Sequence, residues 1–281
     1  MSDYKNDLKI GDDILKQISE QYRKTRNTLR FLLANVSDLE KIVEVEKMGE
    51  IDRWILSKAG NIFEEVIKDF NDYEFQKGLS KLNHFITVEL SGIHMDISKD
   101  RLYCNAQNDI KRRSAQSAMA LITRGLLALL APVLTYTVDE VLEYAPKVIK
   151  EDSEDVFDIV YTPLQKVESS FDEKYMIEAR EKFFEKVDSL KKDKIIKTTL
   201  ELVLQTTSDR VHSLDSQDKE DWFMVSKVIH HDEDGELGVF EVDGDSFKIL
   251  KASKAKCPRC WKQRSKDENS LCKRCQEVID G

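Results

Sequence analysis

Four cysteines constrain this sequence most: Cys257 and Cys260, then Cys272 and Cys275, two residues apart within each pair and eleven between the pairs. Two intervening residues make a tight knuckle that turns both sulfurs toward one centre. Two knuckles supply four thiolates in a tetrahedral array suited to Zn2+. Pro258 stiffens the first knuckle. Four protein thiolates leave no open coordination position, so the expected cofactor is one structural Zn2+. An iron centre uses the same ligands. Two disulfides are the bland alternative, although the polar start of the chain is read as lacking a signal peptide, with no mark of an oxidising compartment.

The surroundings of the cysteines are basic. Lys251, Lys254, Lys256, Arg259, Lys262, Arg264 and Lys266 fall in a stretch without an acid, and Trp261 follows the first knuckle directly. Part of this charge can serve simply to offset the thiolates. The sharper reading is nucleic acid, with cations on phosphates and an indole face for stacking on an unpaired base.

The rest of the composition is that of a helix-rich protein, 35% charged and 41% hydrophobic, with ten Gly and four Pro among 281 residues. No apolar run approaches the ~18 residues of a membrane span and the start of the chain is polar, so a cytoplasmic location with no membrane partner is expected; a monomer is a separate expectation. A net charge of −9 argues against a generic polyanion binder. Local basic faces can still act, because charges separated by more than ~8–10 Å are screened from one another.

The spacing predicts a mainly α chain with a small α/β part. After a frayed lead-in over 1–10, a helix is expected over 12–35, with Ile14, Ile18, Tyr22, Thr25, Leu29, Leu32 and Val36 on one face. Arg23, Arg26, Asn27 and Arg30 fall on another face, either a solvated surface or a set of phosphate contacts. Further helices are expected over 51–70, 73–90 (after a turn and N-cap at Asn71-Asp72), 109–130 and from Thr137 to about Tyr144, where Thr137 to Glu140 reads as a capping box. The helix over 109–130 opens with Lys111, Arg112 and Arg113. Residues 95–103 read as a polar stretch. The helices together predict an antiparallel bundle. An acidic crossover at 151–155 then leads to a charged helix over 172–192. Strands are expected over 199–205 and 223–229, a helix over 208–220, and a hairpin from 237–242 to 247–250 with a type I′ turn at Asp243-Gly244. The expected parts are a helical bundle over 1–165, an α/β junction module over 166–252 and a zinc finger over 253–281.

The chain contains no phosphate-binding glycine loop, nucleophile elbow or metalloprotease helix motif. His84, His212, His230 and His231 offer no ligand spacing, and Cys104 is left as a free thiol. No catalytic centre is evident.

Several stretches resemble the C-terminal region of bacterial isoleucyl-tRNA synthetases, which are class I aminoacyl-tRNA synthetases. They are Asp13 to Gln17, Tyr22 to Phe31, Asp52 to Ser57, Asn71 to Phe75, Lys99 to Tyr103, Arg112 to Gln116, Leu130 to Pro132 and the two cysteine pairs. The resemblance covers essentially the whole chain, loosely over 170–250. The chain departs from the family at His94, where an aromatic is usual, and at Leu142, where a Trp is usual. It also lacks the His-x-Gly-His and Lys-Met-Ser-Lys-Ser signatures of ATP and adenylate chemistry, and any editing domain. The resemblance therefore implies a C-terminal piece without catalytic residues of its own. The parent enzyme would use ATP to load isoleucine onto its tRNA. This piece would hold the anticodon stem-loop and join the rest of the synthetase. The residues expected to touch tRNA are Arg23, Arg26, Asn27, Arg30, Arg112 and Arg113 on the helices, with Arg259, Trp261, Lys262 and Arg264 at the finger. Two competing readings are a DNA-repair finger, which would need an N-terminal Pro-Glu in place of Met1-Ser2, and a zinc-stapled interaction scaffold without nucleic acid.

Overall fold

The computed structural model describes residues 7, 10–231 and 233–281. The frayed lead-in expected over 1–10 lies, but for residues 7 and 10, outside the described residues. The helices are α1 (Asp12–Val36), α2 (Glu50–Asn71), α3 (Phe75–His84), a π-helical run (Phe85–His94), α4 (Met95–Ile97), α5 (Lys99–Cys104), α6 (Ile110–Leu130), α7 (Thr135–Tyr144), α8 (Lys147–Lys150) and α9 (Glu173–Lys192). Then follow β1 (Leu202–Thr206), α10 (Asp209–His212), α11 (Ser216–Phe223), β2 (Lys227–Ile229), β3 (Glu236–Val242), β4 (Asp245–Lys251), β5 (Ala255–Lys256), β6 (Gln263–Ser265) and α12 (Lys273–Asp280). The mainly α architecture with a small sheet is as the sequence patterns require. No helix among the described residues is long and apolar enough to cross a membrane.

By compactness the chain forms two units. One comprises the residues up to Asp96 together with Gln107–Ser169; the other comprises Ile97–Ala106 and Ser170–Gly281. In the first, α1, α2 and α3 each bury an apolar stripe (Leu29, Leu32 and Val36; Ile51, Ile55, Phe63 and Val66; Leu79 and Leu82), whereas α6 is enclosed on nearly every side, buried without a break from Ser114 to Ala120 and again at Ile122 and Leu126. Gly125 lets α6 lie close to α2, since a Cβ there would overlap the Phe63 ring. The α1 stripe is buried only in its second half; Ile14 and Tyr22 remain 39% and 38% exposed.

The helix expected over 73–90 is instead α3 followed by a π-helical run. Tyr73 takes a left-handed φ of 60°, and the cap position is Glu74 rather than Asn71-Asp72. In the run, Gly92 sits where a Cβ would lie 3.0 Å from the Thr87 carbonyl oxygen. The wider turn brings His94, fully buried, to 2.8 Å from Asp52, which also accepts a hydrogen bond from Ser114 Oγ at 2.6 Å. Thr137 and Glu140 do not cap α7, which begins at Thr135 with Leu134 at the cap position. Both are used against α1 instead: Thr137 Oγ1 meets Tyr22 Oη at 3.0 Å, and Glu140 pairs with Arg26.

The second unit is built on a four-stranded sheet of order β2-β1-β4-β3. β1 and β2 are parallel, with α10 and α11 forming the crossover, and the other neighbours are antiparallel. The expected β3–β4 hairpin is present, and Asp243 and Gly244 have φ values of 49° and 86°, the left-handed pair a type I′ turn demands. The first two strands are shorter than their apolar runs. Thr198 caps a 3-10 turn over Thr199–Glu201, so β1 starts at Leu202. Trp222 and Phe223 end α11, and the left-handed Met224 delays β2 to Lys227. The helix expected over 208–220 divides because Asp215 accepts from the amides of Gln217 and Asp218 and starts α11 anew. The polar stretch expected over 95–103 is helical, with Ile97 and Leu102 buried.

Candidate metal centre and nucleic-acid surfaces

In the second unit β5 and β6 form a short hairpin whose tip is the first knuckle. Cys257 N donates to Lys262 O at 3.0 Å and Trp261 N to Cys257 O at 2.9 Å, which closes the loop. The second knuckle is the start of α12: Cys272 is the cap position, and Gln276 N donates to its carbonyl at 2.9 Å. The four Sγ atoms all lie within 4.8 Å of one another and are buried. None of the four is joined in a disulfide, nor is Cys104, and the four sulfurs form one cluster rather than two bonded pairs.

The donor set fits a tetrahedral ion. With a metal–sulfur distance of about 2.3 Å, the sulfur–sulfur edge of a tetrahedron is about 3.8 Å, and Cys260 Sγ lies 3.7 Å from Cys272 Sγ. At Cys257 the knuckle backbone itself favours the thiolate. Burial pushes the Cys257 thiol up, but the amides of Cys260, Cys272 and Arg259 outweigh it and bring it down to about 6. Burial pushes the Cys260 and Cys272 thiols up, the cost a bound cation would remove.

The basic residues around the cysteines have different fates. Trp261 has a left-handed φ of 64° and its indole is 61% exposed, with Lys256 Nζ 5.4 Å from the ring centroid. That reversal sends the next side chain inward. Lys262 is 2% exposed, with Asp221 at 2.8 Å, Asp100 at 3.4 Å and Glu220 at 3.6 Å. A phosphate contact at Lys262 therefore fails: its ammonium is enclosed by three carboxylates. Burial alone would depress the lysine, but Asp221, Asp100 and Glu220 raise it. Burial raises the Asp221 carboxyl to about 6 against the pull of Lys262. Asp100 is held well below the usual carboxylate range, despite burial, by Arg274 and Lys262. Arg274 grips both oxygens of Asp100 at 2.5 and 2.8 Å. Arg264 pairs with Glu220 and donates to Ser226 O at 2.6 Å. Arg259 turns back toward Cys104 O and Cys275 Sγ.

In the first unit Arg23, Arg26, Asn27 and Arg30 are exposed on α1. Arg23 meets Glu20 at 2.6 Å, and Arg26 is held by both oxygens of Glu140. Arg112 and Arg113 open α6, where Asp109 caps the helix and accepts from the Lys111 amide at 2.8 Å. Arg112 donates to Asp38 at 2.7 Å and Arg113 to the Asp38 carbonyl at 2.7 Å. Their side chains are 16% and 17% exposed, so most of each guanidinium works inside the protein. Sequence reading missed the acids that claim these cations, because Asp38, Asp100, Glu220 and Asp221 lie far away in the chain.

The description "anticodon-binding domain of tRNA ligase" matches residues 52–206, more than half of the chain. The chain belongs to this anticodon-binding family. Its relatives include an isoleucine–tRNA ligase of Nitratiruptor sp., 59% identical over 281 residues. Others are those of Sulfurimonas denitrificans, 55% identical over 279 residues, and Aliarcobacter butzleri, 55% identical over 280. Each match takes in at least 99% of this chain and 30% of the relative. This anticodon-binding chain thus spans about 30% of the length of the curated relatives it matches. The four-cysteine centre lies beyond the matched range 52–206, within the span shared with the ligases.

Proposed function

We propose that this chain is the tRNA-gripping portion of an isoleucine–tRNA ligase, binding the anticodon stem-loop of isoleucine tRNA while ATP-dependent loading proceeds elsewhere in a cytoplasmic, monomeric parent enzyme. One observation carries the reading: a family match over 52–206 in a chain 59% identical, end to end, to part of such a ligase. We divide the work among the bundle (1–165), the junction module (166–252) and the finger (253–281).

The chemistry of each surface supports the division. The exposed α1 ridge of Arg23, Asn27 and Arg30 offers donors for phosphates at helical spacing, while Arg26 between them would have to exchange Glu140 for a phosphate. Arg112 and Arg113 reach the surface with part of their charge and orient the start of α6 through Asp38. At the finger Trp261 presents a stacking face for an unpaired base, with Lys256 beside its ring, and Arg264 is tied to Glu220. Cys257, Cys260, Cys272 and Cys275 would hold Zn2+. The metal supplies the cross-link that a loop with so small a core cannot supply itself.

The test is filter binding of the zinc-loaded chain to isoleucine tRNA, bulk tRNA and duplex DNA at one salt concentration. Tightest binding to isoleucine tRNA is expected. Equal binding to duplex DNA, or to none of the three, would replace this reading with the repair-type or scaffold alternative. The chain alone is expected to form no aminoacyl-tRNA from isoleucine and ATP.

A further inference from the structure

We infer that Arg259 is an outer-sphere residue of the metal centre, fixing the Cys275 thiolate and the end of α5, and that it is not an RNA contact. The inference rests on reading the four cysteines as a metal site.

Arg259 lies inside the first knuckle, between two of the candidate ligands, yet its side chain does not follow Trp261 into solvent. Its Nη1 donates to the carbonyl of Cys104 and lies 3.6 Å from Cys275 Sγ. Its Nη2 lies 3.5 Å from the carbonyl of Tyr103. One guanidinium thus spans three acceptors. Two of them are the last carbonyls of α5, which the helix itself leaves without amide partners and which carry the negative end of its dipole. The third is a sulfur of the second knuckle. Arg259 therefore links the first knuckle to the second and both to the segment Ile97–Ala106.

Charge gives this placement its purpose. Four thiolates around a divalent cation carry a formal charge of about −2 in a buried site. A fixed cation donating N–H to one of those sulfurs draws off electron density and holds the lone pairs in a set direction. Cys257 receives this service from the backbone, through the Cys272 amide at 3.4 Å. At Cys275 a side chain supplies it. The planar fork matters: lysine keeps the charge but cannot reach two carbonyls and a sulfur at once. A guanidinium committed in this way has little left to offer a phosphate.

The test uses the zinc-loaded chain with Arg259→Gln and Arg259→Lys. Three readouts are zinc transfer to the chromophore 4-(2-pyridylazo)resorcinol, the order in which N-ethylmaleimide labels the cysteines, and affinity for isoleucine tRNA. R259Q is expected to release zinc roughly 10- to 100-fold faster, with Cys275 labelled first, and R259K to fall between it and the parent chain. Both variants, when zinc-saturated, should bind tRNA within about threefold of the parent. If R259Q does not fold, R259K is read in the same way. Unchanged zinc release from the variant that folds overturns the inference, as does weaker tRNA binding with zinc retained. A parent chain that takes up no zinc removes the premise and the inference together, which distinguishes that failure from a failure of Arg259 alone.

Discussion

Trp261 and Lys262 are chain neighbours with opposite environments, 61% and 2% exposed, and their substitution should separate binding from stability. Trp261→Ala removes a surface indole. It should weaken isoleucine-tRNA binding by about 1–3 kcal/mol, roughly five- to 150-fold in Kd, without moving the unfolding midpoint. Lys262→Ala leaves Asp221, Asp100 and Glu220 without their shared cation, and should cost roughly 3–5 kcal/mol in a denaturant melt. If K262A melts like the parent and only loses RNA affinity, the burial argument is wrong. Asp69 gives a pH test in the first unit. It is 4% exposed, with Lys77 at 3.0 Å and Lys81 at 2.9 Å. Burial pushes its carboxyl up, but Lys81 and Lys77 outweigh it and hold it below the ordinary range. A carboxyl depressed in the folded state stabilises fully above its unfolded value of about 4 and loses that contribution as pH falls through the folded one. Asp69→Asn should therefore cost about 1–3 kcal/mol at pH 7, and the gap should close as pH drops below about 4. A gap that stays constant with pH would rule out the ion pair as its source. Of the finger's cations, sequence alone exposed their number but not their assignment. Arg259, Lys262 and Arg264 read as one patch because the groups that bind them, Cys104, Asp221 and Glu220, are distant in the chain.

At the scale of elements, the periodic helices and the hairpin were legible because one local signal fixed each. Leu29, Leu32 and Val36 share a face by helical spacing, and Asp243-Gly244 permits few turns other than the one formed. What misled was local grammar overruled by tertiary need. Thr137 and Glu140 have the spacing of a cap but are claimed by Tyr22 and Arg26. The π-helical run has no periodic signature and depends on where Asp52 lies relative to His94. The α1 ridge and the start of α6 predict different responses to charge reversal. Arg23→Glu and Arg30→Glu should each weaken tRNA binding and lower its salt slope by about 1. Arg112→Glu faces Asp38 and should lower stability as well. Equal melting of all three variants would mean that the Asp38 pair contributes nothing. For the knuckles, chelation should expose Cys257, Cys260, Cys272 and Cys275 to a disulfide reagent that cannot reach them in the loaded chain. Four thiols equally reactive before and after chelation would exclude a metal there.

For the whole molecule, a chain with a net charge of −9 is assigned to an RNA, so binding must come from placed groups rather than bulk attraction. The resemblance to isoleucyl-tRNA synthetases was legible early, because the motifs that carry it extend from Asp13 to Cys275, and the anticodon-binding match falls within them at 52–206. The outward residues were not, because exposure depends on the completed fold. The central claim is recognition of the anticodon end. Its most direct test is the Kd of the zinc-loaded chain for isoleucine tRNA against the same tRNA with its three anticodon bases replaced, at a fixed salt concentration near 0.15 M. We predict that replacement weakens binding at least tenfold, about 1.4 kcal/mol; equal affinity for the two RNAs would contradict the account.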